Sequence, residues 1–321
     1  MRRTVQVVRT TVLICALSLT TFFSKAQSIS TANGKFEIGL GLGPLIFLGD
    51  LGGGLGKGSY FVKDVNLPVT KMAKGIFVNY YPQEWLGFRV AANMGVLEGA
   101  DSLIKEKGGA ETYRQIRNLH FRSKLLEAYA AIELYPTVFF EEFDGLQGKV
   151  RPYGVIGVGM IKFNPQAQYH SPNGTSRWVD LQPLRTEGQG MKEYANRPMY
   201  KLTSMEIPVG VGVKWYAKEN MYVGFEVLHR KTFTDYIDDV STTYINPQLF
   251  SDARYFTPEQ SAMAIQMNNR DFNNTGALSR SYVEGDERGH TRNDSFFSSV
   301  LRFGWRLFDN SETAGMGCPK W

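Results

Sequence analysis

The sequence is short of cysteine and histidine and, beyond its opening segment, has no long apolar run; each shortage narrows what the chain can be. Of its two cysteines, Cys15 lies in that opening segment and Cys318 near the end. A lone thiol in an exported chain suits an intermolecular disulfide or a free reactive group, and the alternative is an unpaired tail cysteine with no role. The four histidines, His120, His170, His229 and His290, are scattered without metal-ligand spacing and without a His-Glu-x-x-His box, so no metal or cofactor is expected. A Gly-x-Ser-x-Gly elbow for a nucleophile is also missing. With no later stretch long enough for a membrane helix, any membrane insertion has to be as a closed barrel.

Residues 1–26 read as a secretory signal peptide: a basic start, an apolar centre over Val12 to Leu19, and Ser24-Lys25-Ala26 as a cleavage site. The apolar part is too short to span roughly 30 Å of hydrocarbon, and Gln27 stands where a lipoprotein would need cysteine. Arg2, Arg3, Arg9 and Lys25 carry all but +1 of the net charge of +5, so the basic balance is no argument for nucleic acid.

What is abundant is alternation. From Met205 to Trp215 the apolar residues Met205, Ile207, Val209, Val211, Val213 and Trp215 share one parity, and Glu206, Gly210, Gly212 and Lys214 hold the other. Period two means strand. The same pattern recurs at 36–47, 75–81, 86–96, 121–135, 151–163, 221–229 and 295–308. Residues 121–135 also contain good helix formers, but Glu127 and Glu133 alternate cleanly with apolar neighbours and favour strand. Arg89 falls on a small-residue face, where a dry sandwich core would not tolerate it and a polar lumen would.

Eight strands in all are expected, an even number suited to a closed bacterial barrel. Starting inside with the N-terminus, the odd-numbered connections are long and the even-numbered ones short or medium, as in barrels with external loops and periplasmic turns. The expected fold is all-β: an eight-stranded antiparallel up-and-down transmembrane barrel over residues 27–308, with a periplasmic tail at 309–321. The long connections, 97–118, 164–200 and 234–294, are expected as polar loops, the last with some local order. Phe139, Phe140 and Phe143 in the turn 136–149 suit a membrane interface.

Few constellations suggest chemistry. Gly56-Lys57 fails as a phosphate-binding loop, because Leu51 replaces the first glycine and Gly58 the hydroxyl. Asp235, Asp238 and Asp239 could bind calcium but lack the loop spacing, and the plainer expectation is that Arg230 and Lys231 pair with them and order the loop. A site drawn from His229, Asp235 and the loops would make the barrel an enzyme acting on lipid or peptide, the alternative to a non-enzymatic reading.

The segments Arg177 to Leu184 (RWVDLQPL), Thr186 to Gly190 (TEGQG) and Arg230 to Tyr244 (RKTFTDYIDDVSTTY), with Gly49-Asp50-Leu51 and Arg117-Asn118-Leu119, closely resemble the PorG-like outer-membrane barrels of Bacteroidetes. Those proteins belong to the type IX secretion and gliding machinery. The resemblance covers nearly the whole chain after the leader and implies a non-enzymatic protein of the cell outer membrane. It would contact membrane lipid and tie a periplasmic ring, a lipoprotein with its partner subunit, to that membrane. Trp178, Asp180, Arg230, Lys231, Asp235, Tyr236, Asp238 and Asp239 are the residues expected to bind a partner or brace the loops, with Cys318 the candidate for a disulfide to a ring subunit.

Overall fold

The computed structural model describes residues 36–51, 69–103, 111–141, 145–270 and 282–307. The leader, Gly56-Lys57, Phe143, Phe308, the tail and Cys318 lie outside the described residues.

Eight long antiparallel strands form a closed ring. They are β1 (Phe36–Leu48), β2 (Lys71–Gln83), β3 (Leu86–Ala100), β4 (His120–Leu134), β5 (Val150–Lys162), β8 (Thr203–Lys218), β9 (Met221–Thr232) and β10 (Ser295–Leu307). Each pairs with the next in this order, and β10 returns to β1 with Ile38 opposite Trp305. No wall strand of the ring is left with an unpaired edge within the membrane, which an apolar solvent requires.

Alternation decides which side chains go where. Leu40, Ile76, Val90, Val158, Val211 and Leu301 all point outward, and Val90 and Val211 each keep 65% of their surface exposed. In the register they face like neighbours: Val78 lies opposite Val90, Ile156 opposite Val209, and Phe225 opposite Leu301. Exposed aliphatic residues in such a continuous band are stable only against lipid, so the wall is that of an outer-membrane barrel. Phe36, Tyr80, Trp215 and Trp305 stand towards the short-turn end of the band, where amphipathic rings suit the interface. β4 is strand despite its helix-forming residues because β3 and β5 pair with its two edges.

The inward parity fills the lumen. Glu133 takes hydrogen bonds from Arg89, Tyr135 and Asn79. Lys214 reaches Glu37 at 2.8 Å and the Tyr81 hydroxyl at 2.7 Å. Glu226 lies 2.7 Å from Arg89 and 2.6 Å from Arg302, and Glu127 receives Arg230 at 2.8 Å and Asn93 at 2.7 Å. Tyrosines close the gaps: at Gly304 an added Cβ would lie 2.1 Å from the Tyr222 ring, so only glycine lets the ring pack there. A cavity of about 20 Å³ lined by Asn93, Tyr129, Glu226, Arg230 and Arg302 leaves room for about one water.

Two expectations need correction. The 164–200 segment is not merely a polar connection: β6 (Pro165–His170) and β7 (Ser176–Asp180) form a hairpin that extends the sheet from the upper end of β4, with Arg122 opposite Gln166. Its turn closes through Gly174 N–H to the Ser171 carbonyl at 2.9 Å. The strands also run past their predicted ends, β3 reaching Ala100, so Leu97 and Glu98 are strand and not loop. Local order does occur in 234–294. A helix, α2 (Pro258–Asn268), starts from a capping box between Thr257 and Gln260, after the shorter α1 (Glu111–Arg117).

Candidate functional site at the capped mouth

At the long-loop end the strand tips become apolar on their inner side. Leu45, Phe47, Leu97, Phe121, Leu125, Ile161, Phe163 and Phe296 form one buried cluster, and Ile237 and Val240 drop into it from the loop after β9. Ile237 has no exposed surface. This loop therefore stoppers the barrel by ordinary hydrophobic burial.

Polar bonds then fix the stopper on all sides. The Asp238 carboxylate accepts from Leu51 N–H at 3.0 Å and from Val240 N–H at 3.1 Å. Asp239, with φ of 65°, accepts from the Thr186 hydroxyl at 2.5 Å and the Tyr200 hydroxyl at 2.6 Å. Glu187 accepts from the backbone N–H groups of Ser241 and Thr242, each at 3.0 Å, and from Arg288 at 3.0 Å. Arg117 grips Asp101 at 2.7 Å, donates to the Asp50 carbonyl at 2.9 Å and also to the Arg288 carbonyl. Asp50 in turn accepts from His290 N–H at 2.7 Å, and Asp294 from Ile237 N–H at 2.9 Å.

Buried carboxylates outnumber cations here, with a predictable effect on their protonation. Burial pushes Asp235 up to about 9, and the neighbouring Asp238, Asp50 and Glu187 add to it. Burial also raises Asp239 to about 6, against the pull of Arg288. Asp238 and Asp294 are driven well above the ordinary range by burial first and by neighbouring acids next. Among the described residues no group of His, Cys, Asp and Glu has the arrangement to hold a metal ion.

The expected site residues separate into three places. Asp235, Tyr236, Asp238 and Asp239 lie in the mouth: Asp235 accepts from the Ser241 hydroxyl at 2.7 Å, and Tyr236 stacks on Tyr200 with ring centroids 4.5 Å apart. Trp178 and Asp180 belong to the external hairpin, where the Arg122 guanidinium sits 3.8 Å over the Trp178 ring and Asp180 accepts from Gln166 at 2.7 Å. Arg230 and Lys231 do not pair with the three aspartates. Both are still in β9, so strand alternation sends Arg230 into the lumen against Glu127 and turns Lys231 outward. Nor are His229 and Asp235 brought together, because His229 has the outward parity and Asp235 lies in the mouth.

Several contributors were not singled out from the sequence as site residues, Asp50, Arg117, Glu187 and Arg288 among them. The first three lie inside the segments that carry the family resemblance. Arg288 sits in a polar run, GDERGH, with nothing local to mark it.

No family model matches this chain, and no curated protein does. Among solved structures it is similar to Neisserial surface protein A, at 10% identity and a TM-score of 0.36 over 85% of this chain and 97% of that one. It is also similar to the outer membrane protein OprG from Pseudomonas aeruginosa, at 12% and 0.37 over 87% and 98%. A third likeness is to the N-terminal β-barrel domain of Pseudomonas aeruginosa OprF, at 8% and 0.29 over 85% and 99%.

Proposed function

We propose that this outer-membrane barrel is a non-enzymatic component of a type IX protein secretion system, anchoring or assembling the periplasmic ring at the membrane. One observation supports the reading above others: four of the five segments with the PorG-like resemblance, distant in sequence, meet in one buried cap over a lumen already filled by side chains. An eight-stranded barrel of this kind has no bore for a protein. A role in secretion is then one of holding and assembling, not of conduction. On the short-turn side, Phe139 and Phe140 project from the turn after β4, and Phe140 keeps 83% of its surface exposed, an apolar handle for the ring lipoprotein or its partner subunit. The test is a deletion strain complemented with the wild-type chain or with a Phe139→Ser/Phe140→Ser variant. Loss of cargo secretion on deletion, with crosslinks from the turn to ring subunits, is the expected result. Normal secretion in the deletion strain would sink the proposal.

A further inference from the structure

We propose that Lys124, Lys162 and Lys201 form a binding site for the phosphate-bearing headgroup of an outer-leaflet lipid, at the point where the apolar belt of the barrel ends. The inference rests on register and parity. Lys162, the last residue of β5, lies opposite Leu126 of β4 on one side and opposite Thr203 of β8 on the other. Lys124 is two residues above Leu126, and Lys201 two residues above Thr203. All three side chains are exposed, and Lys124 is diagonal to Lys162. Lys201 precedes β8, but Phe163 N–H still donates to the Leu202 carbonyl at 3.0 Å and Tyr200 and Leu202 pack inward, which leaves Lys201 on the outer side above Lys162. Diagonal neighbours across a sheet stand about 7–8 Å apart, and like charges so placed repel.

Nothing among the described residues neutralises them. The nearest outward carboxylate on the wall, Glu98, is opposite Arg122 and bound to Lys71 at 3.0 Å. Asp180, on the neighbouring hairpin, is hydrogen-bonded by the neutral amides of Gln166 and Asn164, and its single charge cannot offset three. The three ammonium groups thus face an anion supplied from outside the chain. Directly below them Leu126, Met160 and Met205 are among the exposed apolar residues of the belt. A ligand that sits here has its charge at the lysines and an apolar part along the wall, which describes a phosphorylated lipid better than a free ion. Lysine stems lie along apolar surface and carry the charge to the headgroup level, and basic residues at such a surface attract anionic lipid.

Native mass spectrometry of the full chain in neutral detergent, titrated with lipid A, tests this. Wild type should bind lipid A much more tightly than lipid A stripped of its phosphates. A Lys124→Gln/Lys162→Gln/Lys201→Gln variant should lose affinity for lipid A on the order of 100-fold, at roughly fivefold per lysine, whereas the triple Lys→Arg variant should retain it. Inorganic phosphate should not displace the lipid. Equal binding of intact and stripped lipid by wild type would overturn the proposal without recourse to any variant. So would a Gln variant that runs as a folded barrel and binds like wild type, or displacement by inorganic phosphate, which would mark a simple anion site.

Discussion

The lumen and the mouth of this barrel both bury acids, and they hold them by different means. In the lumen each carboxylate cluster meets a cation: Glu133 and Glu226 share Arg89, Glu37 has Lys214, and Glu127 has Arg230. In the mouth, Asp101 and Glu187 have Arg117 and Arg288, but Asp238 and Asp294 are held by the backbone N–H groups of Leu51, Val240 and Ile237, and Asp235 by a hydroxyl. The wall strands fix where lumen charges stand, so pairs can be set opposite each other across the ring. A loop has no such frame, and its carboxylates serve by gathering amides that would otherwise be buried without partners. The lumen is thereby a permanent brace, and the mouth is a latch whose strength depends on protonation.

The largest expected effect would come from breaking the lumen. Arg89→Met leaves Glu133 and Glu226 short of their shared cation, and removing one partner of a buried ion pair costs about 3–5 kcal/mol. Urea unfolding of the full chain in vesicles should show that loss. A change below about 1 kcal/mol would place the pair in the class of exposed ion pairs and erase the contrast between the two regions.

Of intermediate size is Ile237→Ala. Truncating a fully buried isoleucine costs about 2–5 kcal/mol, and here the loss should fall on the cap alone. Proteolysis within 233–245 should accelerate while amide protection of the strands is unchanged. Matching losses in both would mean that cap and wall unfold as one unit.

A third test is the dependence of the latch on pH. Asp235 and Asp239 are raised in the closed state, to about 9 and about 6, from an ordinary 3.8. Below pH 4 both states are protonated and nothing changes. As the pH rises from about 4, the opened loop loses protons that the closed loop keeps. Closure therefore weakens up to about pH 6 through Asp239 and on to about pH 9 through Asp235. Amide exchange over 236–241, corrected for the intrinsic rate, should show opening favoured as the pH rises from 5 to 9. Asp235→Asn should flatten the upper part of that slope, and an unchanged slope would remove Asp235 from the latch.

Much of the wall was legible because one rule, period two, governs it. Parity alone puts Arg89, Lys214 and Glu206 inside and Val90, Val211 and Trp215 outside. The rule failed where a strand outlasted its apolar pattern. Arg230 and Lys231 read as loop residues, yet both remain in β9 and diverge to opposite faces. The β6–β7 hairpin was hidden by its shortness: in β6 only Ala167 and Tyr169 turn an apolar inner side to the cluster that holds Leu181 and Met267, too brief an alternation to read, and only the Ser171-Pro172-Asn173-Gly174 turn announced it. The capping box at Thr257 and Gln260 was a readable sign of α2 that alternation did not register.

By itself the sequence determined the architecture: spacing of apolar residues fixes strand, face and barrel, because each of these is a local property of the backbone and its solvent. Only the tertiary structure decided the site. That Asp239 meets Thr186, that Asp238 holds Leu51, and that Arg117 reaches the Arg288 carbonyl are contacts across 53, 187 and 171 residues. Ring closure brings those loops to one mouth, and no local pattern records which loop residues will then be neighbours.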